Sequence, residues 1–200
     1  MSKFCILVSL IIILISCSNN EHKIGYEEKL INQRKFNESS FRGANSPLQE
    51  KDKADFTGLN YFDIDTNFRV KALIQWDLSC EPIRLVTDST IESYHYPSAF
   101  LTFSLRGEKY KLQGFTRELQ GIKKVFIPFY DETSGKETYG GGRFLDATLV
   151  SNEQLMLDFN LAYNPYCAYN PSYICAVPPF INDLKVEILA GEKLPLIDKH

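Results

Sequence analysis

Histidine is scarce in this chain: there are three in 200 residues, and His22 and His200 lie in a polar stretch near one end and at the other end itself. That leaves His95, in "ESYHYPS", as the sole histidine on which a general base could be built. A nucleophile–base–acid triad needs two more groups in fixed places. Ser93, Ser98 and Ser104 are near in sequence, but there is no G-x-S-x-G elbow. A lone histidine between two tyrosines ahead of a proline reads as a turn or surface residue. Clustered positive charge is also missing. Lys and Arg number 22 against 25 Asp and Glu, with no basic run, so no nucleic-acid partner is expected. No apolar run reaches the roughly 20 residues of a membrane-crossing helix. No cofactor is expected either, since the one glycine cluster lacks the Lys-Ser/Thr of a phosphate loop.

What the chain does have begins with Lys3 and the apolar run "FCILVSLIIILIS". Its length suits the core of a secretory signal. "LISC" (Leu14 to Cys17) resembles the lipobox of bacterial lipoproteins, which implies cleavage before Cys17, a diacylglycerol thioether on its sulfur and acylation (palmitate) of the new amino group. Two or more chains anchor stably where one does not. An ordinary cleaved signal is the alternative. The expected organisation is a signal peptide at 1–16, lipidated Cys17 and a polar tether at 17–25, and a single globular domain at 26–200. The expected location is the cell envelope, with periplasmic and surface sides both open, and Cys17 makes membrane lipid the first partner. Cleavage leaves 21 basic against 25 acidic residues. A domain of that charge stands off an anionic surface.

Residues 26–41 read as one amphipathic helix, with Tyr26, Leu30, Ile31 and Phe41 near one stripe. Ser46-Pro47 starts a second short helix by its capping chemistry. Beyond it the period changes to two. "FRVKALIQW", "EPIRLVT", "AFLTFSL", "YKLQGF", "KKVFIPFY", "RFLDATLV", "QLMLDFN" and "LKVEILAG" make about eight strands, with a tight hairpin turn at "RGEK". The fold class is mostly β (α+β). It is an antiparallel barrel or sandwich with one buried face, an N-terminal helix over an edge or open end, and a long ordered loop rich in Asn, Pro, Tyr and Cys.

The motifs "SPLQEKDKADFTGLNYFDID" and "FIPFYDETSGKETYGGGRFLD…LDFNLAYNPYCAYN…C…PPFINDLKVEILAGEK" resemble the bacterial family of domain of unknown function 1684 over nearly all of the mature chain. One departure is Ala176, where the family commonly has proline after its second cysteine. The resemblance implies one compact fold and no particular activity.

Two segments could carry chemistry. Around Gly140–Gly142, backbone amides can approach a ligand, and Arg143 offers a bidentate clamp for carboxylate or phosphate. Glu137, Tyr139 and Asp146 flank it. The plain reading is a wide turn with Arg143 paired to Asp131, Asp146 or Asp158. In the second segment Asp158 and Asn160 share one strand face, followed by Asn164, Asn170 and several tyrosines. This composition suits an ordered loop that satisfies buried polar groups without a ladder. Cys167 and Cys175 could close a nine-residue disulfide, worth about 2.6 kcal/mol of loop entropy, with Cys80 left as a thiol. Reduced packing thiols are the second reading; metal or catalysis is the third, although the spacing is no zinc knuckle.

The expected function is binding of a small polar or anionic ligand, or an envelope partner, in a cleft between the Gly140–Arg143 turn and the Asn164–Asn182 loop. The alternative is an envelope hydrolase with Arg143 as clamp and Glu137, Asp146 or Asp158 as acid or base. A structural scaffold is a third reading. Neat internal pairing without a cavity favours it.

Overall fold

A computed structural model describes residues 25–77, 83–86, 92–95, 97–119 and 122–196. Cys17, Cys80 and the expected signal and tether lie outside these. The described residues fall in two compact units, divided between Gly43 and Ala44.

In the first unit, helix α1 covers 25–41. Leu30 and Phe41 are buried and Tyr26 is half-buried, but Ile31, expected on the same stripe, is 44% exposed. Ser39 and Ser40 both donate to the Phe36 carbonyl as the helix ends. Among the described residues no helix is long and apolar enough to cross a membrane.

Among the described residues the second unit holds every strand: β1 Arg69–Trp76, β2 Ile83–Val86, β3 Glu92–His95, β4 Pro97–Leu105, β5 Glu108–Leu119, β6 Ile122–Asp131, β7 Arg143–Leu149, β8 Gln154–Asp158 and β9 Asp183–Leu184. Strands β4 to β8 pair antiparallel in chain order, and β1 joins β4 to β8. The result is a closed six-stranded up-and-down barrel, with β9 added parallel to β6. Closure removes the free edges that an open sheet must protect. The β2–β3 hairpin is inserted between β1 and β4; its second strand contains His95, in a stretch expected to be a turn. Arg106 and Gly107, both at positive φ, form the two-residue turn between β4 and β5. That is the primed turn that matches strand twist.

Alternate residues fill the barrel: Leu101, Phe103, Leu112, Val125, Ile127, Phe129, Leu145, Leu155 and Leu157. Strand β6 departs from the single buried face expected of it. Val125 through Phe129 are all buried, because a second apolar group of Phe115, Phe126, Phe144 and Ala176 covers its outer side, with Tyr163 and Cys175 against it. The long irregular run 159–182 is what lies over this wall.

Two expected elements take other forms. Ser46 accepts from the Leu48 amide as a cap should, but only a 3₁₀ turn, Glu50–Asp52, follows. "EKDKAD" offers no apolar stripe to hold a longer helix. Of "LKVEILAG", only Leu184 joins a sheet, beside Asp183 in β9. Its alternation is real, since Leu184, Ile188 and Ala190 are buried, but its carbonyls find partners other than a strand.

Asn182 shows how the run is fastened. The β5–β6 register pairs Phe115 with Phe126, and continuing it would set Gln113 opposite Pro128, which has no N–H to give. The Asn182 amide fills this gap. Its Oδ1 accepts from Gln113 N at 2.6 Å, and its Nδ2 donates to Gln113 O at 2.8 Å and to Pro128 O at 2.7 Å. The 3₁₀ turn Phe180–Asn182 aims this amide inward, fully buried, and leaves Phe180 in solvent. Asn182→Ala strips three backbone groups of their partner, and urea denaturation should show a loss of about 2–3 kcal/mol. A change under about 0.5 kcal/mol would mean the seam closes without it.

Candidate functional site

The glycine turn and the long run touch. Gly142 has φ +85°, and a Cβ there would lie 2.7 Å from the Phe129 carbonyl and 2.8 Å from Pro178 Cγ. Its amide is taken by the Tyr139 carbonyl at 3.1 Å. Directly after this turn the backbone sends Arg143 into the domain, and not toward solvent. The side chain is wholly buried. Nη2 meets Asp131 Oδ2 at 2.8 Å and the Ile188 carbonyl at 2.9 Å; Nη1 donates to the carbonyls of Ala190 and Glu192. Extended backbone turns every second carbonyl the same way, so 188 and 190 face one guanidinium, and the bend at Gly191 brings the carbonyl of 192 to it as well. Arg143 replaces the strand that "LKVEILAG" lacks.

This corrects the expected clamp. Of the three acids named as internal partners, Asp131 is the one engaged, and it also accepts from Thr133 N, Thr133 Oγ1 and Ile188 N. Burial lowers the Arg143 pKa from its ordinary value, and Asp131 opposes the shift. The Phe129 and Phe62 rings lie 5.4 and 6.0 Å from the guanidinium carbon. Both terminal nitrogens are engaged inside the domain, and Nε, which has no partner, is buried with them.

Next to it sits a carboxylate with no expected role. Glu192 is 3% exposed. It accepts from Asn164 N at 2.8 Å, Tyr169 Oη at 2.9 Å and Tyr61 Oη at 3.4 Å. Burial pushes its pKa up to about 7, against the lowering effect of these hydrogen bonds and of Arg143. Gly191, at φ +79° and packed on the Phe159 and Ala162 carbonyls, sets the bend that turns Glu192 inward. "GEK" at the end of an apparent strand is the only local signal for it.

The other named residues are dispersed. Asn164 is buried beside Glu192 and donates to Lys193 O at 2.7 Å. Asn160 faces Asp65, giving to its carbonyl at 2.8 Å and taking from its amide at 2.9 Å, as a strand partner would. Asp158 caps Asn160 and lies 3.6 Å from Arg69 Nε. Asp146 accepts from the Tyr163 hydroxyl at 2.9 Å. Asn170 holds Ser172 and the Pro47 carbonyl. Glu137 is exposed. The acids and the guanidinium therefore do not converge on a hollow between the two segments.

What the junction does leave half-exposed is Tyr139 with Cys167 and Cys175. Tyr139 Oη donates to Cys167 Sγ at 3.8 Å, and the Cys167 amide donates to Cys175 Sγ at 3.2 Å. The Cys167 thiol is pulled down to about 7, first by the hydrogen bond from Cys175; burial works against this, and Tyr139 and the Cys167 and Ala168 amides assist it. Cys175 is raised, first by holding the shared proton and then by burial. Tyr139 is pushed up to about 12 by burial and by the Cys167 sulfur. A separate hollow of about 330 Å³ lies on the barrel at Asp65, Asn67, Phe68, Ser104 and Arg106.

The model of a family described as "Protein of unknown function (DUF1684)" matches residues 54–193. The solution NMR structure of an uncharacterized protein of Haloarcula marismortui is similar, at 32% identity and a TM-score of 0.70, over 87% of this chain and 97% of that one. No curated protein matches.

Proposed function

Because this chain belongs to the DUF1684 family, whose description carries no activity, we propose its role from its own residues: an exported, lipid-anchored envelope protein that binds rather than hydrolyses. Its binding surface is the rim formed by Tyr139, Cys167 and Cys175. The observation that carries this is the contrast at the junction of the two segments. Arg143, Glu192 and Asn164 are buried and bonded to one another or to their neighbours, so they form a floor ordered by the fold itself. The rim groups above it stay half-exposed. A floor ordered in advance reduces the entropy lost on binding.

With Arg143 turned inward, the anionic part of the expected ligand loses its counter-charge. The hydrolase reading loses its clamp. The ligand class that fits is small and polar, held by a tyrosine hydroxyl and sulfur. Envelope anchoring is supported by the apolar leader and by "LISC" ahead of Cys17.

Two measurements test these parts separately. Full-length protein made in a bacterial host should partition into the detergent phase of Triton X-114, and Cys17→Ser should move it to the aqueous phase; no difference would remove the lipid anchor. A polar fragment set screened by NMR should shift resonances of Tyr139, Cys167 and Cys175. Shifts confined to the hollow at Asp65 and Arg106, or none at all, would overturn the rim as the site.

A further inference from the structure

We infer that Cys167 and Cys175 are a reversible dithiol that exchanges with low-molecular-weight disulfides, Cys167 attacking and Cys175 resolving. The inference rests on the rim being reachable by solvent, which the binding reading also requires.

Four observations carry it. The two thiols are neighbours: the Cys167 amide donates to Cys175 Sγ at 3.2 Å, and the interaction between the two side chains is the first cause that lowers the Cys167 pKa. Cys167 lies in the 3₁₀ turn Tyr166–Ala168, where the Tyr139 hydroxyl donates to its sulfur and the Cys167 and Ala168 amides favour its charged form. Such surroundings favour the thiolate, which is the nucleophile. Cys175 instead packs against the Phe115, Phe126 and Phe144 group, which favours its protonated form. The segment joining them is pinned: Tyr173 N donates to Asn170 O, and Asn170 Oδ1 takes both the amide and the hydroxyl of Ser172. The two sulfurs are thus held together before any bond forms.

The chemistry balances with one co-reactant. Cys167 thiolate attacks a sulfur of R–S–S–R; that bond breaks, one R–S⁻ departs, and Cys167 carries a mixed disulfide. Cys175 gives up its proton and its sulfur attacks Cys167 Sγ, releasing the second R–S⁻. Two cysteine thiols are oxidised, one disulfide is reduced to two thiols, and the protons end on the departing sulfurs.

The test uses the full chain in detergent micelles and glutathione disulfide as probe. Chymotryptic cleavage at Tyr169 and Tyr173 separates the two cysteines, so mass spectrometry assigns the linkage despite Cys80 and Cys17. The wild type should acquire a Cys167–Cys175 bond without lasting glutathione adduct, and reduced glutathione should reverse it. Cys175→Ser should trap glutathione on Cys167. In the unmodified protein, needing no variant, iodoacetamide at neutral pH should label Cys167 about tenfold or more faster than Cys175. Two free thiols after excess oxidant, or faster labelling of Cys175, overturns the inference. A rim that binds no polar fragment but still cycles would sink the binding reading alone.

Discussion

Arg143→Met should cost about 3–5 kcal/mol in urea denaturation, about a fifth or more of the stability of an ordinary domain. The substitution leaves Asp131 as a buried charge without its cation, and it strips the carbonyls of Ile188, Ala190 and Glu192 of their donors. An unpaired buried charge and orphaned buried acceptors both carry large penalties. Arg143→Lys should recover little, because one ammonium cannot meet acceptors spread along a fork. Adding Asp131→Asn to Arg143→Met should restore part of the loss by removing the stranded charge, while the carbonyl cost persists. If Arg143→Met left stability within about 0.5 kcal/mol of wild type, the guanidinium would be free for a ligand and the packing account would fail.

Glu192 gives the second large effect, and its sign is set by linkage. The carboxyl titrates near 7 in the folded protein against an ordinary 4.5. Below 4.5 both states hold the proton, and the group's contribution is at its most favourable. Between these values the folded state binds a proton that the unfolded chain has lost, so stability falls as pH rises, by about 3 kcal/mol across the window. Above 7 the effect is flat. Glu192→Gln keeps an oxygen for Asn164 N and Tyr169 Oη and carries no charge. Its stability should lack this decline, so the two proteins converge at pH 5 and the variant gains relative to wild type at pH 8. Parallel urea midpoints from pH 4.5 to 8 would show that the acid is charged inside at every pH.

These effects share one cause. The run that opens at Leu157 supplies amides and a meeting point of side chains where regular ladders stop. Asn160 stands in for a strand beside Asp65, Asn182 closes the β5–β6 seam, and Asn164 ties Glu192 to Lys193. Of the expected site, the sequence reading placed Tyr139 near the meander and named Asp131 as one partner of Arg143. It left open whether Arg143 pairs inside or serves a ligand. Three glycines ahead of an arginine read the same whether the side chain enters solvent or the core. Gly142 at positive φ, wedged between Phe129 O and Pro178, decides it.

From the residues alone came the period-two runs that form β1 and β4 to β8, the tight turn at Arg106-Gly107, the helix over 26–41 and the family. These depend on neighbours in the chain: which faces are apolar, where φ can turn positive, where a cap begins. Tertiary structure alone decided that 184–192 meets a guanidinium instead of a strand, that β6 is covered on both faces, and that two cysteines eight residues apart sit together beside Tyr139. The reason is that a donor's partner lies 45 or more residues away in the cases that matter, and burial makes each such pairing obligatory without marking it in either segment.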